Sequence, residues 1–198
     1  MSQPKPKETR AYLYTVSHDK NFLTEYFGVS QEIINKFDPY YDRIYDDPRG
    51  CIVDLINLCQ KYPEVPQIKN LLLVAYQLAG NLEKAKEVNN WLISEHPDYL
   101  FGKINKGYEY LSQNKPEMVA ELLGEWMEIK ELYPKREVFH ISEVMAFNRL
   151  VFQYHMARGK FDVARSILET METVKADHPD AQFVRNQLLK AGKPLKKK

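Results

Sequence analysis

Four short sequences that end in proline recur along this chain. They are Tyr62-Pro63, His96-Pro97, Tyr133-Pro134 and His178-Pro179, and their prolines lie 34, 37 and 45 residues apart. Each follows an amphipathic stretch, and proline ends an α-helix because it lacks an amide hydrogen and clashes with the preceding turn. A helix terminator at this interval predicts stacked helix-turn-helix units, none of which could bury its apolar face alone.

The composition is typical of a soluble globular protein. The chain has 198 residues, of which 44% are hydrophobic and 28% are charged, enough for one domain with a real core. Its 28 basic and 27 acidic residues give a net charge of +1, so no long-range field draws it to nucleic acid or anionic lipid. No apolar run approaches the roughly 18 residues of a membrane span, and the charged N-terminus lacks the apolar segment of a secretory signal. We expect a cytoplasmic protein without a membrane partner.

The pattern divides the chain into three parts. Residues 1–20 are expected to form a flexible or extended N-terminal arm, residues 21–192 a helical repeat domain, and residues 193–198 a basic disordered tail. Residues 11–16 are rich in β-forming side chains. Because one isolated strand has no partner in this pattern, we expect them to lie extended on the helices.

Helix boundaries follow from the apolar period and the terminators. The aromatic segment 21–46 is expected to form an irregular cap, in which Ser30 begins a helix that ends near Phe37. Asp38-Pro39 and Asp47-Pro48 each resemble an N-cap followed by proline at the first helical position. The regular helices are expected at 48–61, 66–79, 82–95, 99–113, 116–132, 137–157, 161–176 and 180–191.

The segment 66–99 resembles a tetratricopeptide repeat, a helix pair of 34 residues with a degenerate pattern of large and small side chains. The matching residues are Leu72, Tyr76, Gly80, Ala85 and Pro97, whereas Lys69 replaces the usual tryptophan. Weaker matches recur in phase at 100–134, where Gly107 occupies a packing position, and at 145–179. Small side chains let paired helices approach closely, and large apolar ones interlock them.

The resemblance implies an all-α, right-handed α-solenoid of about 3.5 tetratricopeptide-like repeats, with the aromatic segment as N-terminal cap and the last helix as C-terminal cap. Other α-solenoids of similar period remain open. The resemblance to tetratricopeptide repeats also implies a concave groove, lined by the first helix of each pair, that binds a peptide or helix of a partner protein.

Helical phase selects polar candidates for partner binding in this groove. Asn70 and Gln77 lie seven residues apart on one helix face, and their amides could hydrogen-bond the backbone of an extended peptide. On the predicted helix 137–157, Arg149 and Gln153 occupy a polar strip, and Arg149 could pair with a carboxylate of the peptide. The alternative is that these side chains only face water.

An apolar stripe on the helix 99–113 supplies further candidates. Its members, at spacings of three, four and three, are Phe101, Ile104, Tyr108 and Leu111. The apolar arc is wider than one neighbouring helix needs, and an uncovered apolar patch would indicate a binding site. Burial by the adjacent repeat or by the N-terminal arm is the alternative.

Catalytic signatures are missing from the sequence. The five histidines are scattered, and no HExxH motif, zinc-ligand spacing, phosphate loop or nucleophile elbow occurs. Cys51 and Cys59 would lie about 12 Å apart on one helix, too far for a disulfide. We therefore expect no enzyme, cofactor or metal, but a protein-protein interaction module such as an adaptor, scaffold or specialised chaperone. A helical-repeat RNA-binding protein is the alternative, although it needs a basic lining. A homodimer remains open.

Overall fold

The structure is a computed structural model that describes residues 13–19 and 21–192. The N-terminal arm expected before residue 13 and the tail expected at 193–198 lie outside these ranges. Regular structure in the described part is almost entirely helical, as predicted. None of the helices described there combines the length and the apolar character that crossing a bilayer requires.

Twelve helices and two three-residue strands make up the described part. In chain order they are β1 (Thr15–Ser17), α1 (Phe22–Phe27), α2 (Gln31–Phe37), α3 (Tyr40–Asp46), α4 (Pro48–Lys61), α5 (Pro66–Leu78), α6 (Leu82–Glu95), α7 (Leu100–Ser112), α8 (Pro116–Leu123), α9 (Ile129–Leu132), β2 (Val138–His140), α10 (Ile141–Ala157), α11 (Phe161–Lys175) and α12 (Pro179–Lys190).

Helices that follow one another in the chain pack together. Helix α5 packs between α4 and α6, α10 packs on α11 and α12, and α7 packs on α8 and α10. The core is accordingly a series of local clusters, the first around Phe37 and Leu55, the second around Phe139 and Leu150, and the third around Val184. These five side chains are fully buried. Much of the apolar surface is thus buried between helices that are neighbours in the chain.

Two of the three predicted helix caps in the aromatic segment are confirmed. The Ser30 hydroxyl accepts a hydrogen bond from the Ile33 amide at 3.4 Å, and the Asp47 carboxylate accepts one from the Gly50 amide at 2.9 Å, with Pro48 at the first helical position. The prediction for Asp38 is wrong. Asp38 has helical backbone angles and ends α2, with no side-chain cap bond at the start of α3.

The N-terminal strand has a partner, which the sequence pattern did not predict. β1 pairs in parallel with β2, with Thr15 opposite Val138 and Ser17 opposite His140. Residues 137–140 were expected to open a long helix, but α10 begins only at Ile141. Its start is fixed because the Glu143 carboxylate accepts from the His140 amide at 2.9 Å. The extra length of the 45-residue interval therefore contains a strand.

The helix expected at 116–132 is broken. Helix α8 ends at Gly124, which has a φ of +87°, a conformation that favours glycine. A Cβ at this position would lie 2.7 Å from a carboxylate oxygen of Glu131. That carboxylate accepts a hydrogen bond from the Trp126 amide at 3.0 Å. Two short helices, α8 and α9, therefore replace the predicted long one.

Both cysteines are free and buried, as expected for core side chains. Burial raises the pKa of both thiols, that of Cys59 to about 12. A protonated, buried thiol is a poor nucleophile, so these residues contribute packing.

A contact between lysine and a proline carbonyl recurs at the terminators. Lys69 donates to the Pro63 carbonyl, and Lys103 donates to the Pro97 carbonyl at 2.6 Å. The two lysines are separated by the same 34 residues as the two prolines. In these two places an ammonium group ties a helix, α5 or α7, to the turn before it.

Lys69 is the more deeply placed of the two. Its side chain is fully buried, lies 2.8 Å from a Glu95 carboxylate oxygen and 2.9 Å from His96 Nε2, and stands 4.5 Å from the Trp91 ring centre. One side chain therefore joins the start of α5, the turn before it and the end of α6. This gives Lys69 a structural role at the position where the tetratricopeptide pattern has tryptophan.

Replacing Lys69 with methionine should destabilise the fold. Lys69→Met keeps the aliphatic bulk but removes the ammonium group from the Pro63 carbonyl and the Glu95 carboxylate, at a cost of about 2 kcal/mol in the free energy of unfolding. Urea titration followed by circular dichroism measures this. The matched variant Lys103→Met removes a partly exposed contact and should cost about 1 kcal/mol or less. Equal losses in the two variants would contradict a special role for Lys69.

Two histidines cap helices through Nδ1, a lone-pair acceptor. His140 accepts from the Ser142 amide at 3.3 Å at the start of α10, and His178 accepts from the Asp180 amide at 3.2 Å at the start of α12. Burial lowers the pKa of both imidazoles. Each cap therefore requires the neutral ring.

The free energy of unfolding should fall as the pH is lowered from about 6.5, the ordinary pKa of histidine. The unfolded chain binds protons at His140 and His178 at higher pH than the folded chain does, so acid favours unfolding. His178→Asn retains a capping acceptor but cannot titrate, so its stability should depend less on pH between 7 and 5. Urea midpoints at several pH values test this, and parallel profiles for the two proteins would contradict it.

Candidate functional site

A cavity of about 630 Å³ lies between the N-terminal segment, residues 13–19 and 21–46, and the helices α5, α7 and α10. We call it the groove. One wall comes from α1, α2 and the start of α3, and the other comes from α5 and the first residues of α7 and α10. The aromatic side chains that line it are Phe22, Phe27, Tyr41, Tyr99 and Phe101. The face predicted to be open is therefore partly covered by the chain itself.

The N-terminal wall is anchored at both of its ends. At one end β1 pairs with β2, and the Tyr14 ring meets the Phe139 ring edge-on at 5.2 Å between centres. At the other end α3 packs on α4 and α5, with Ile44 fully buried. The segment therefore crosses from the α10 side of the molecule to the α5 side, and the groove lies beneath it.

Arg136 connects the wall to the rest of the molecule. Its Nε donates to the Val138 carbonyl and its Nη1 donates to a Glu143 carboxylate oxygen, both at 2.9 Å. The guanidinium also lies 4.4 Å from the Phe139 ring centre and 5.4 Å from that of Phe27. Glu143 is 4% exposed, so this pair is well shielded from water. One cation therefore joins α1, β2 and α10.

The floor of the groove carries two amides on α5. Gln67 is 3% exposed, and its Oε1 has no hydrogen-bond partner in the described part of the chain. Asn70, three residues further, accepts a hydrogen bond at 3.0 Å from the Asn105 amide of α7. The Asn70 contact fixes the position of α5 relative to α7, whereas the Gln67 oxygen is a buried acceptor without a donor among the described residues, on a side chain that lines the cavity.

The charged groups that line the groove are acidic. They are Asp19, Asp38 and Glu143, of which Glu143 is neutralised by Arg136. Among the residues described in the structure, no lysine or arginine lines the groove. His140 lines it with a pKa lowered by burial, so the ring is neutral near pH 7. The described ranges contain no group of three histidine, cysteine or carboxylate side chains able to hold a metal ion.

The predicted partner-binding residues fall into separate environments. Asn70 and Phe101 line the groove. Gln77 and Tyr108 line a second cavity of about 410 Å³ between α5, α6 and α7. Ile104 is 3% exposed in the second core cluster, because α7 packs on both α8 and α10, so it is not available to a partner here.

The remaining three predicted residues lie away from the groove. Leu111 is half-buried against the second core cluster. Arg149 pairs with Asp180 at 2.8 Å and lies 3.8 Å from the Phe183 ring centre, so its cation is already occupied within the chain. Gln153 is half-buried on α10 and lines neither cavity.

Sequence reasoning missed Gln67, Arg136 and Phe22. Gln67 left a weak signal, since it is an amide on a helix that is apolar in nearly every direction. Arg136 left none, because its contact with the α1 rings comes from a distant part of the chain and its contacts with β2 and α10 depend on a strand that the pattern did not predict. Phe22 belongs to the aromatic cap, whose position depends on a strand pairing that the pattern did not predict.

Arg136→Lys should loosen the N-terminal wall. Lysine keeps the charge but loses the planar fork that binds Glu143 at two oxygens and stacks on the rings, so the buried carboxylate is left poorly paired. We expect a loss of about 2–3 kcal/mol in the free energy of unfolding. Arg43→Lys, at a half-exposed pair with Asp54, is the control and should cost under about 0.5 kcal/mol. A similar small loss in both variants would contradict the role of Arg136.

Comparison with known proteins finds a partial likeness. Over 99 residues, 49% of this chain, it is 31% identical to human aspartyl/asparaginyl beta-hydroxylase, and it is 30% identical to the mouse protein over a region of the same length. In each case the matched region is 13% of the hydroxylase, so this chain is similar to a small part of those proteins. No protein-family model matches the chain, and no solved structure matches it.

Proposed function

We propose that this chain is a cytoplasmic, non-enzymatic module that binds a segment of a partner protein in the groove, as an adaptor, scaffold or specialised chaperone. The observation that carries the proposal is the groove itself, a cavity of about 630 Å³ reached by the first helices of three successive hairpins. Ligand sites are commonly concave, of a few hundred cubic ångströms, mostly apolar and equipped with a few polar groups. The groove is concave and of this size, and it combines aromatic side chains with a larger number of polar groups than is usual.

The same proposal includes a right-handed solenoid of tetratricopeptide type. Support comes from the 34-residue recurrence of the lysine-carbonyl contact and from the series of local cores. Gly107 adds a close approach of two first helices, because a Cβ there would lie 2.5 Å from a methyl carbon of Leu150. A small residue at this position lets α7 and α10 pack side by side.

A peptide suits the lining better than a nucleic acid does. Aromatic rings along the groove supply apolar contact area, at about 25 cal/mol per Å² before the cost of association. The Gln67 and Asn70 amides can pair with peptide groups. An RNA backbone needs cationic partners, whereas the carboxylates of Asp19 and Asp38 would repel phosphate. The hydroxylase activity in the relatives' name belongs to those proteins, and the proposal assigns no chemistry to this chain.

Selection from a phage-displayed library of random dodecapeptides tests the proposal. Enriched peptides should bind the wild-type chain in fluorescence anisotropy, and Phe101→Ala or Asn70→Ala should weaken them about tenfold, the effect of losing roughly 1.4 kcal/mol at an interface anchor. Gln77→Ala, on the same helix as Asn70 but outside the groove, should leave the affinity within about twofold. Thermal melts confirm that each variant is folded.

Two results would contradict the proposal. The first is the absence of any enriched peptide. The second is a set of enriched peptides whose affinity is unchanged by both Phe101→Ala and Asn70→Ala.

A further inference from the structure

We propose that the groove recognises a basic side chain, lysine or arginine, on the segment of the partner protein that it binds. This inference rests on the proposed function and adds the chemical class of the ligand. Three independent features of the groove carry it, namely an unpaired acceptor, an excess of negative charge and exposed aromatic rings.

The unpaired acceptor is Gln67 Oε1. The side chain is 3% exposed, and its oxygen has no donor among the described residues although it lines a cavity. A buried carbonyl without a donor is destabilising, so such groups in native proteins generally have a partner. Lysine and arginine carry donors and no acceptors. A ligand of this kind would supply the bond that the chain itself does not.

The charge of the lining has one sign. Among the residues that the structure describes, no basic side chain pairs with Asp19 or Asp38, and Glu143 is held by Arg136. Asp38 lies at the C-terminal end of α2, where the helix dipole disfavours a carboxylate, and no side-chain cap bond is made at the start of α3. Opposite charges attract a cationic ligand and raise its local concentration, whereas an anionic ligand is repelled.

The aromatic rings suit the aliphatic stem and the charged head of a basic side chain. Phe27 and Tyr41 are each 40% exposed at the edge of the groove, and Phe101 is half-buried in its wall. Cations are attracted to ring faces, and the methylene groups of lysine and arginine pack on apolar surface. Two rings that line the groove already show this pairing, since the Arg136 guanidinium lies 5.4 Å from the centre of the Phe27 ring and 5.7 Å from that of Phe22.

Nuclear magnetic resonance with small probes tests the inference on the full chain. The ¹⁵N-labelled protein is titrated with N-acetyl-arginine methylamide and N-acetyl-lysine methylamide, and then with their neutral analogues of similar size, N-acetyl-citrulline methylamide and N-acetyl-norleucine methylamide. The Gln67 side-chain signal, assigned by its loss in Gln67→Met, should shift with the basic probes. The neutral probes should bind at least about tenfold more weakly. Equal binding of arginine and citrulline probes would overturn the inference, as would a Gln67 signal that no basic probe shifts.

Variants separate local recognition from general attraction. Gln67→Met and Asp38→Asn should each weaken the basic probes about three- to tenfold. Asp46→Asn makes the same charge change on α3 outside the lining and should change affinity less than twofold. If Asp46→Asn weakens binding as much as Asp38→Asn, the attraction is general and the specific inference is overturned.

The displayed-peptide selection distinguishes this inference from the function on which it rests. Enriched peptides with conserved lysine or arginine, weakened by Gln67→Met, support both. Enriched peptides that bind in the groove without a basic residue overturn the inference and leave the peptide-binding function standing. The absence of both peptide and probe binding overturns both.

Discussion

The pairing of β1 with β2 is the interaction on which the groove depends. It joins a strand near the N-terminus to one that precedes α10, and it places the whole N-terminal segment across the first helices. Ordering so long a loop costs conformational entropy, and a ladder of three residues on each strand is marginal by itself. Its stability therefore comes from the side chains around it. Arg136 supplies most of these contacts, through the buried carboxylate of Glu143 and the rings of α1 and β2.

The two walls of the groove are consequently held in different ways. The α5 wall belongs to the regular hairpins and is fixed by the buried ammonium of Lys69 and by helix packing on both sides. The N-terminal wall is held at its α3 end by packing on α4 and α5, and at its other end by one short ladder, one cation and a few rings. A ligand that contacts both walls stabilises the folded arrangement by mass action, and the N-terminal wall gains most because it is tied by fewer contacts. The affinity for the ligand and the structural order of the N-terminal segment are therefore coupled.

What the sequence predicted correctly was local in origin. Helices α5, α6, α11 and α12 lie within a residue or two of their expected bounds, because period and terminators act over a few residues. The caps at Ser30 and Asp47 depend on bonds across one turn. Neither the strand β2 nor the break at Gly124 was predicted. The strand needs a pairing partner from a distant part of the chain. The break needs a positive φ, which a single glycine in the sequence does not indicate.

The groove residues show the same division between what local pattern predicts and what depends on tertiary contacts. Asn70 and Phe101 were found from helical phase, whereas Ile104 shares that phase and is covered by neighbouring helices. Gln67 could be identified as a candidate binding residue only when the cavity beside it was known. Arg149 was predicted to face a partner, but α12 supplies Asp180 and Phe183 to it. Helical phase identifies the direction in which a side chain points, and tertiary contacts decide whether another part of the chain already packs against it.

Hydrogen exchange of the Thr15 amide tests the central claim most directly. This amide donates to the Glu137 carbonyl at 2.9 Å and belongs to the ladder that holds the N-terminal wall. If the wall is part of the native structure, the amide should exchange at least about 100-fold more slowly than in an unstructured peptide, and still more slowly with a bound peptide. Exchange at the unstructured rate, with α10 fully protected and peptide bound, would show that the groove does not need this wall and would contradict the account.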